Sequence, residues 1–275
     1  MRTTTFLRAL AVAIVLCCGM RQALAGPFED AQAAYDQKDY SRAFGLFKPL
    51  ADQGHANAQY NLGVMCANGQ GVPQDHAEAV RWYHKAADQG LAEAQFSLGL
   101  RYATGQGAKK DYHEAVKLYR MAAEQGHADA QFHLGIRYDW GEGVTEDPAE
   151  KVRWCRKAAE QGHALAQNCL GNSYTSGRGV TRDYAEAVRW YSKAANRGNA
   201  FGQYNLGLMY AEGKGVTQDV VLAHMWFSLA ADQGPDVNSI EQALAQERRD
   251  ISSNNLTKTQ LAEAQSLARE WKTKT

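Results

Sequence analysis

Along most of the chain, apolar positions recur at three- and four-residue steps, the period of a helix with one buried face. In Ala94, Leu98 and Tyr102 a small residue, a leucine and an aromatic share one face; in Ala187, Trp190, Tyr191, Ala194 and Ala195 a second stripe follows the same period. Lys and Arg occupy the side opposite that second stripe, so the pattern predicts pairs of amphipathic helices. Boundary signals agree. Asp75, Asp111, Asp147 and Asp183 precede the second helices with Glu78, Glu114, Glu150 and Glu186 three residues on, resembling a capping box with Asp as acceptor. Pro148 takes a first helical position, where its missing N–H costs little. Gly90, Gly126, Gly162, Gly198 and Gly234 end the second helices, at a left-handed position that glycine adopts most cheaply.

The pairs repeat. Leu-Gly recurs at Leu62-Gly63, Leu98-Gly99, Leu134-Gly135, Leu170-Gly171 and Leu206-Gly207, each 36 residues after the last. This marks five units, 56–91, 92–127, 128–163, 164–199 and 200–235. The glycine after each leucine lets two helices approach closely, which offsets the roughly 1 kcal/mol that glycine costs inside a helix. A stack of such units needs terminal caps with a polar outer face. Residues 26–55, a helical pair with the short loop Tyr35 to Asp39, and residues 236–275 fit that role. Within the latter, Leu256 to Trp271 predicts a closing helix, with Thr257 and Gln260 as its capping box.

The motifs A-x-A-Q-x-x-L-G, G-x-G-V-x-x-D and A-A-x-x-G recur in register from Ala56 to Pro235, and this arrangement resembles the Sel1-like repeat family, a relative of the tetratricopeptide repeat. The resemblance implies an all-α fold, a right-handed solenoid of stacked antiparallel helix pairs. It also implies a non-enzymatic scaffold or adaptor of the cell envelope that recruits or regulates a protein or peptide partner through the concave face lined by first helices. Its inward positions, the fifth, sixth and ninth of each unit, include Tyr60, Asn61, Phe96, Phe132, His133, Asn168, Asn172, Tyr204 and Asn205. Asn side chains can pair with a peptide backbone, and aromatics supply interface anchors. Phe96 and Phe132 also admit a second reading, as core. Trp140 has no counterpart at its position, where the other units carry Asn68, Thr104, Ser176 and Glu212; with Arg101 and Arg137 on an adjacent face it marks a local patch. Lys151 replaces an alanine of the other units, so it must snorkel outward or pair locally. A monomer is expected.

Charge narrows the function. Lys+Arg 30 balance Asp+Glu 30, which leaves no basic footprint for nucleic acid. Residues 1–25 place Arg2 and Arg8 before an apolar run from Ala9 to Met20 and end in Ala23-Leu24-Ala25, a secretory signal with a cleavage site before Gly26. The run is shorter than the ~20 residues of a comfortable membrane span, so export to the periplasm or beyond is expected over a retained anchor. Leu16 and Cys17 stand where a lipoprotein signal needs a small residue ahead of Cys17 or Cys18. Removing this segment takes away Arg2, Arg8 and Arg21 and leaves 27 basic against 30 acidic residues.

Three cysteines remain, too few for a disulfide framework. Cys155 lies seven residues before Gly162 and Cys169 seven after, so in a hairpin turning there they face one another as a disulfide or as two buried thiols. Cysteine-rich members of the resembled family tie successive helices this way, with cysteines nearer the turn. Cys66 replaces the aromatic of Tyr102, Tyr138, Tyr174 and Tyr210 and reads as a core thiol.

No chemistry emerges from the motifs. Gly69-Gln70-Gly71 looks like a phosphate loop, but a Walker loop needs Lys and Ser or Thr after its last glycine, following a strand. Here the copies lie between helices and continue as Gly71-Val72-Pro73, Gly107-Ala108-Lys109 and Gly143-Val144-Thr145. His55, His127 and His163 share one repeat position, so successive copies lie about 8–10 Å apart, beyond the reach of one metal ion. They read as solvated turn histidines. The pairs His76/His84 and His127/His133 lack an H-E-x-x-H pattern, and no G-x-S-x-G or S-x-x-K nucleophile occurs. Neither a cofactor, a metal nor a catalytic residue is expected. The alternative function, an envelope hydrolase acting on peptidoglycan or β-lactam-like compounds, has been proposed for cysteine-rich relatives and finds no motif here.

Overall fold

The computed structural model describes residues 26–232 and 239–274. The signal segment 1–25, and Gly234 and Pro235 at the end of the fifth repeat, lie outside the described residues. Every regular element described is a helix, and the chain divides into two compact units between Asp111 and Tyr112. The first unit holds α1 (Pro27–Asp36), α2 (Tyr40–Asp52), α3 (Ala56–Asn68), α4 (His76–Asp88) and α5 (Ala92–Thr104). The second holds α6 (Tyr112–Glu124), α7 (Ala128–Trp140), α8 (Pro148–Glu160), α9 (Ala164–Ser176), α10 (Tyr184–Asn196), α11 (Ala200–Glu212), α12 (Val220–Ala231), α13 (Ser239–Asn254) and α14 (Lys258–Lys274). Within each unit, consecutive helices up to α13 pack on one another, as the repeat predicts, and α14 packs back on α12.

The caps differ from expectation in two respects. Asp75, Asp147 and Asp183 do accept the first orphan amides of their helices, but the glutamates three residues on do not reach back. Instead the backbone N–H groups of these three aspartates donate to the carbonyls of Cys66, Tyr138 and Tyr174, which closes the loop between the two helices of a repeat. Glu78, Glu150 and Glu186 are thereby released to pair with Arg81, Arg153 and Arg189. Thr257 and Gln260, by contrast, make the full reciprocal box. The turn histidines are not solvated spectators: Nδ1 of His55, His127 and His163 accepts from the amides of Ala58, Ala130 and Ala166 at 3.3, 3.2 and 3.1 Å. The residue after a helix-ending glycine is also the residue before the next helix, so the ring serves as its N-cap.

Repeat joins repeat through buried backbone groups. The Gln of the A-x-A-Q motif donates to the last-turn carbonyl of the preceding helix: Gln59 to Ala51 at 2.9 Å, Gln131 to Ala123 at 3.0 Å and Gln167 to Ala159 at 3.1 Å. Each of these carbonyls lies in the last helical turn and also accepts from the N–H of the helix-ending glycine, Gly54, Gly126 or Gly162, so the glutamine uses its second lone pair. Gly63, Gly135, Gly171 and Gly207 pack on the second helix of their repeats; a Cβ on Gly63 would stand 2.6 Å from the Tyr83 ring. The second glycine of each loop sits on the preceding repeat. At Gly179, φ is +77° and a Cβ would collide with the carbonyl of Pro148, so the loop is a stacking surface with no room for phosphate.

Two glycine substitutions should separate these roles in urea denaturation. Gly179→Ala combines a disfavoured backbone with a collision and should cost at least about 1–3 kcal/mol. Gly45, exposed within α2 with nothing within 4 Å of an added Cβ, should instead gain about 0.5–1 kcal/mol on change to Ala.

Candidate functional site

The third repeat breaks the pattern in a coordinated way. Beneath the first helix the other repeats carry a ring, Tyr83, Tyr119, Tyr191 or Phe227, where this one carries Cys155. The next repeat in turn has Asn168 where the others have Tyr60, Phe96, Phe132 and Tyr204. Beside these two missing rings lies a cavity of about 590 Å³ between α7, α8, α9 and α11. Its apolar wall comes from Phe132, Ile136 and Trp140 of α7, Leu165 of α9 and Phe201 of α11. Trp140 and Leu165 are 62% and 40% exposed.

The polar floor is built by compensation. In the fourth repeat the Tyr191 ring runs under α9 to place its hydroxyl 2.7 Å from Asn172 Oδ1 and 3.1 Å from Thr175 Oγ1. In the third, the counterpart of Thr175 is Asp139, and Lys151, one turn before Cys155, reaches Asp139 at 3.1 Å. Lys151 therefore pairs locally and stays buried, only 8% exposed. Arg178 closes the other carboxylate oxygen of Asp139 at 3.2 Å and binds Glu146 at 2.6 Å. Arg137 lies between the rings of Tyr112 and Trp140, 5.1 and 5.2 Å from their centroids, and is paired with Glu142. Each cation at the pocket thus has its own carboxylate. His133 is held neutral, its pKa pushed down to about 4 by burial, with the Arg137 charge adding to the effect.

Cys155 and Cys169 face one another as the spacing suggested, and both are free thiols in the structure. Cys155 hydrogen-bonds to Cys169, and this bond together with burial pushes its pKa well above the ordinary value. Cys66 is buried as expected, and burial raises its pKa to about 11.

Of the residues singled out in the sequence, Phe132, His133, Trp140, Asn168 and Asn172 meet at this pocket. Asn205 joins them through Nδ2, which donates to Asn168 Oδ1 at 2.9 Å and Asn172 Oδ1 at 3.4 Å. Tyr204 packs instead on Phe227, 5.8 Å between centroids. Tyr60, Asn61 and Phe96 belong to the first compact unit: Tyr60 packs on Tyr83, Asn61 donates to Gln32 at 3.3 Å, and Phe96 is half-buried on α5. Phe132 is both core and wall, since it packs against the cluster around Val152 and Leu170, stacks on His163 and still lines the pocket. Leu165 and Phe201 escaped sequence reading, although a signal existed: the first three repeats have Asn57, Glu93 and Asp129 at that position.

The Sel1 repeat pattern matches residues 33–55, 56–91, 92–127, 128–163, 164–199 and 200–235. The chain belongs to the Sel1 repeat family. The five full repeats coincide with the units read from the Leu-Gly period, and a further, shorter match falls within the N-terminal helical pair. Among solved structures, a Sel1 repeat protein from Oxalobacter formigenes is 32% identical with a TM-score of 0.77, covering 89% of this chain and 94% of its own. The protein c5321, described as a protective antigen present in uropathogenic Escherichia coli strains, is 38% identical with a TM-score of 0.77, covering 92% of this chain. This chain spans only 54% of that one. A curated relative, DAP3-binding cell death enhancer 1 of Rattus norvegicus, is 45% identical over 42 residues, 15% of this chain and 8% of the relative. Sel1 repeats generally mediate protein interactions. Among the described residues no helix is long and apolar enough to cross a membrane, and no cluster of three His, Cys, Asp or Glu is placed to hold a metal ion.

The compensation makes a stability prediction. Asp139→Ala strands a buried ammonium and should cost about 3–5 kcal/mol, whereas adding Lys151→Ala and Cys155→Tyr restores the arrangement of the other repeats and should recover most of that loss in urea titrations. A pH prediction follows from His133. Its folded pKa lies below the unfolded value, so the unfolded chain takes up the proton first, and stability falls as pH drops from about 6.5 towards 4. His133→Asn should flatten that slope by about 1–3 kcal/mol over the same window, measured by denaturation at successive pH values.

Proposed function

We propose that this Sel1 repeat protein is a non-enzymatic binding scaffold, exported to the cell envelope or beyond, that recruits or regulates a partner protein through the first-helix surface of its third to fifth repeats. The observation that carries the reading is the pocket between α7, α9 and α11. Large apolar side chains on a soluble surface usually lie singly, but here Trp140 and Leu165 stand exposed together beside a cavity walled by Phe132, Ile136 and Phe201. The cavity volume lies within the range of about 300–1,000 Å³ found for ligand sites. The general role of Sel1 repeats in protein interaction supports a partner of that kind. The charged and apolar pattern of residues 1–25 supports export, as does the likeness to a protein described as a protective antigen of uropathogenic E. coli.

A photoactivatable residue at position 165 tests the reading in intact cells, with the crosslinked species identified by mass spectrometry. A discrete partner should appear, and Trp140→Ala or Phe132→Ala should weaken its capture by about tenfold or more, as for anchor residues at an interface centre. Crosslinks that are absent, or unchanged in both variants, would refute the scaffold role of this surface.

A further inference from the structure

The pocket restricts what it can hold. Its charges are already spent: Arg137 on Glu142, Lys151 on Asp139, and Arg178 on Asp139 and Glu146, while His133 is neutral. A charged group entering it would lose its water and meet only ions that are already paired. Two amides also use their oxygens within the structure. Asn168 Oδ1 accepts from Asn205, and Asn172 Oδ1 accepts from Asn205 and from the Tyr191 hydroxyl, which leaves each Nδ2 as a donor with no partner among the described residues. Asn168 is 9% exposed and lines the cavity, so its donor can be satisfied only from within it. Both asparagines interrupt the repeat, since the preceding repeat has Phe132 and Ile136 at the same two positions.

We propose that this pocket takes an uncharged, extended peptide segment of the partner, one aromatic or large aliphatic side chain seated among Trp140, Leu165 and Phe201 and main-chain carbonyls accepting from Asn168 and Asn172. The proposal rests on the scaffold reading and specifies its ligand. Spacing favours an extended chain. Residues four apart on a helix stand about 5–6 Å apart, and carbonyls on one side of an extended chain recur every two residues, about 6.5–7 Å. A helical ligand keeps its carbonyls for its own hydrogen bonds and offers none to these donors. The apolar wall then supplies the burial energy and the amides supply the register, as in other recognition of extended peptides.

Fluorescence polarisation with short labelled peptides, an Ala/Ser host carrying one guest residue, tests this on the full chain. Trp, Phe and Leu guests should bind at least about tenfold more tightly than Asp, Glu or Lys guests, a difference of about 1.4 kcal/mol. Asn168→Asp keeps the acceptor for Asn205 but turns the donor into an anion, and should weaken the best peptide by about tenfold or more. Asn172→Asp does the same at an exposed position where folding is not at risk, and Trp140→Ala should weaken the same peptide comparably. Thermal melts accompany each variant. Equal binding of charged guests, or an unchanged affinity in Asn172→Asp, would overturn the proposal. So would tighter binding of phenylacetate than of phenylacetamide, which would mark a site for small acids. If no peptide binds while the crosslink from position 165 persists and depends on Trp140, the extended-peptide proposal fails and the scaffold reading stands; if that crosslink is absent, the scaffold reading itself has failed.

Discussion

The structure depends on how one helix pair satisfies the backbone of the pair before it. A helix ends with carbonyls that have no partner inside it, and in a stack these ends are covered by the next repeat and lose access to water. The helix-ending glycine N–H and the motif glutamine together answer that constraint, the glutamine reaching across eight residues to the alanine carbonyl of the preceding helix, and the second loop glycine allows the next contact, backbone on backbone, against the start of the preceding repeat's second helix. Both contacts fix the rise from one repeat to the next. The histidine or asparagine caps tie the following helix to the same junction. With stacking controlled by main-chain groups, side chains on the first-helix surface are free to vary without loss of the fold.

The third and fourth repeats use that freedom. Exchanging a buried tyrosine for Cys155 removes a ring, and the space is only partly refilled by Lys151, whose ammonium needs Asp139 close by. Arg178, from the loop of the next repeat, completes the arrangement. A buried ion pair of this kind adds little net stability over an apolar filling. What it changes is chemistry: a pocket floor that is polar and yet neutral, beneath a wall of exposed apolar residues. The same junction carries the two facing thiols, so the departures from the repeat concentrate at one place.

Much of this was legible along the chain. Helix limits, caps at Asp75, Asp147 and Asp183, the burial of Cys66 and the structural duty of the glycine loops follow from local pattern. Trp140 and Lys151 stood out by comparison with their own copies. The histidine caps are not legible in the sequence, because a ring nitrogen accepting an amide is an exception to the usual Ser, Thr, Asp and Asn caps. Leu165 and Phe201 are hard to recognise because the second position of a helix normally faces water, as Asn57, Glu93 and Asp129 do in the first three repeats. For Phe132 the sequence offers groove and core as alternatives, and only the structure shows that it is both, since one face of a ring in the core and another in a groove is a matter of neighbours.

The sequence by itself determined the period, the helices it encodes, the family and the places where one repeat departs from the rest. These are local properties, repeated often enough to average out any single exception. The tertiary structure alone decided that Trp140, Lys151, Asn168, Asn172 and Phe201 share one cavity, that its charges cancel in pairs, and that the Asn168 and Asn172 amides turn their donors free. Those facts depend on distances between side chains of different helices and repeats, which the period brings together but does not arrange.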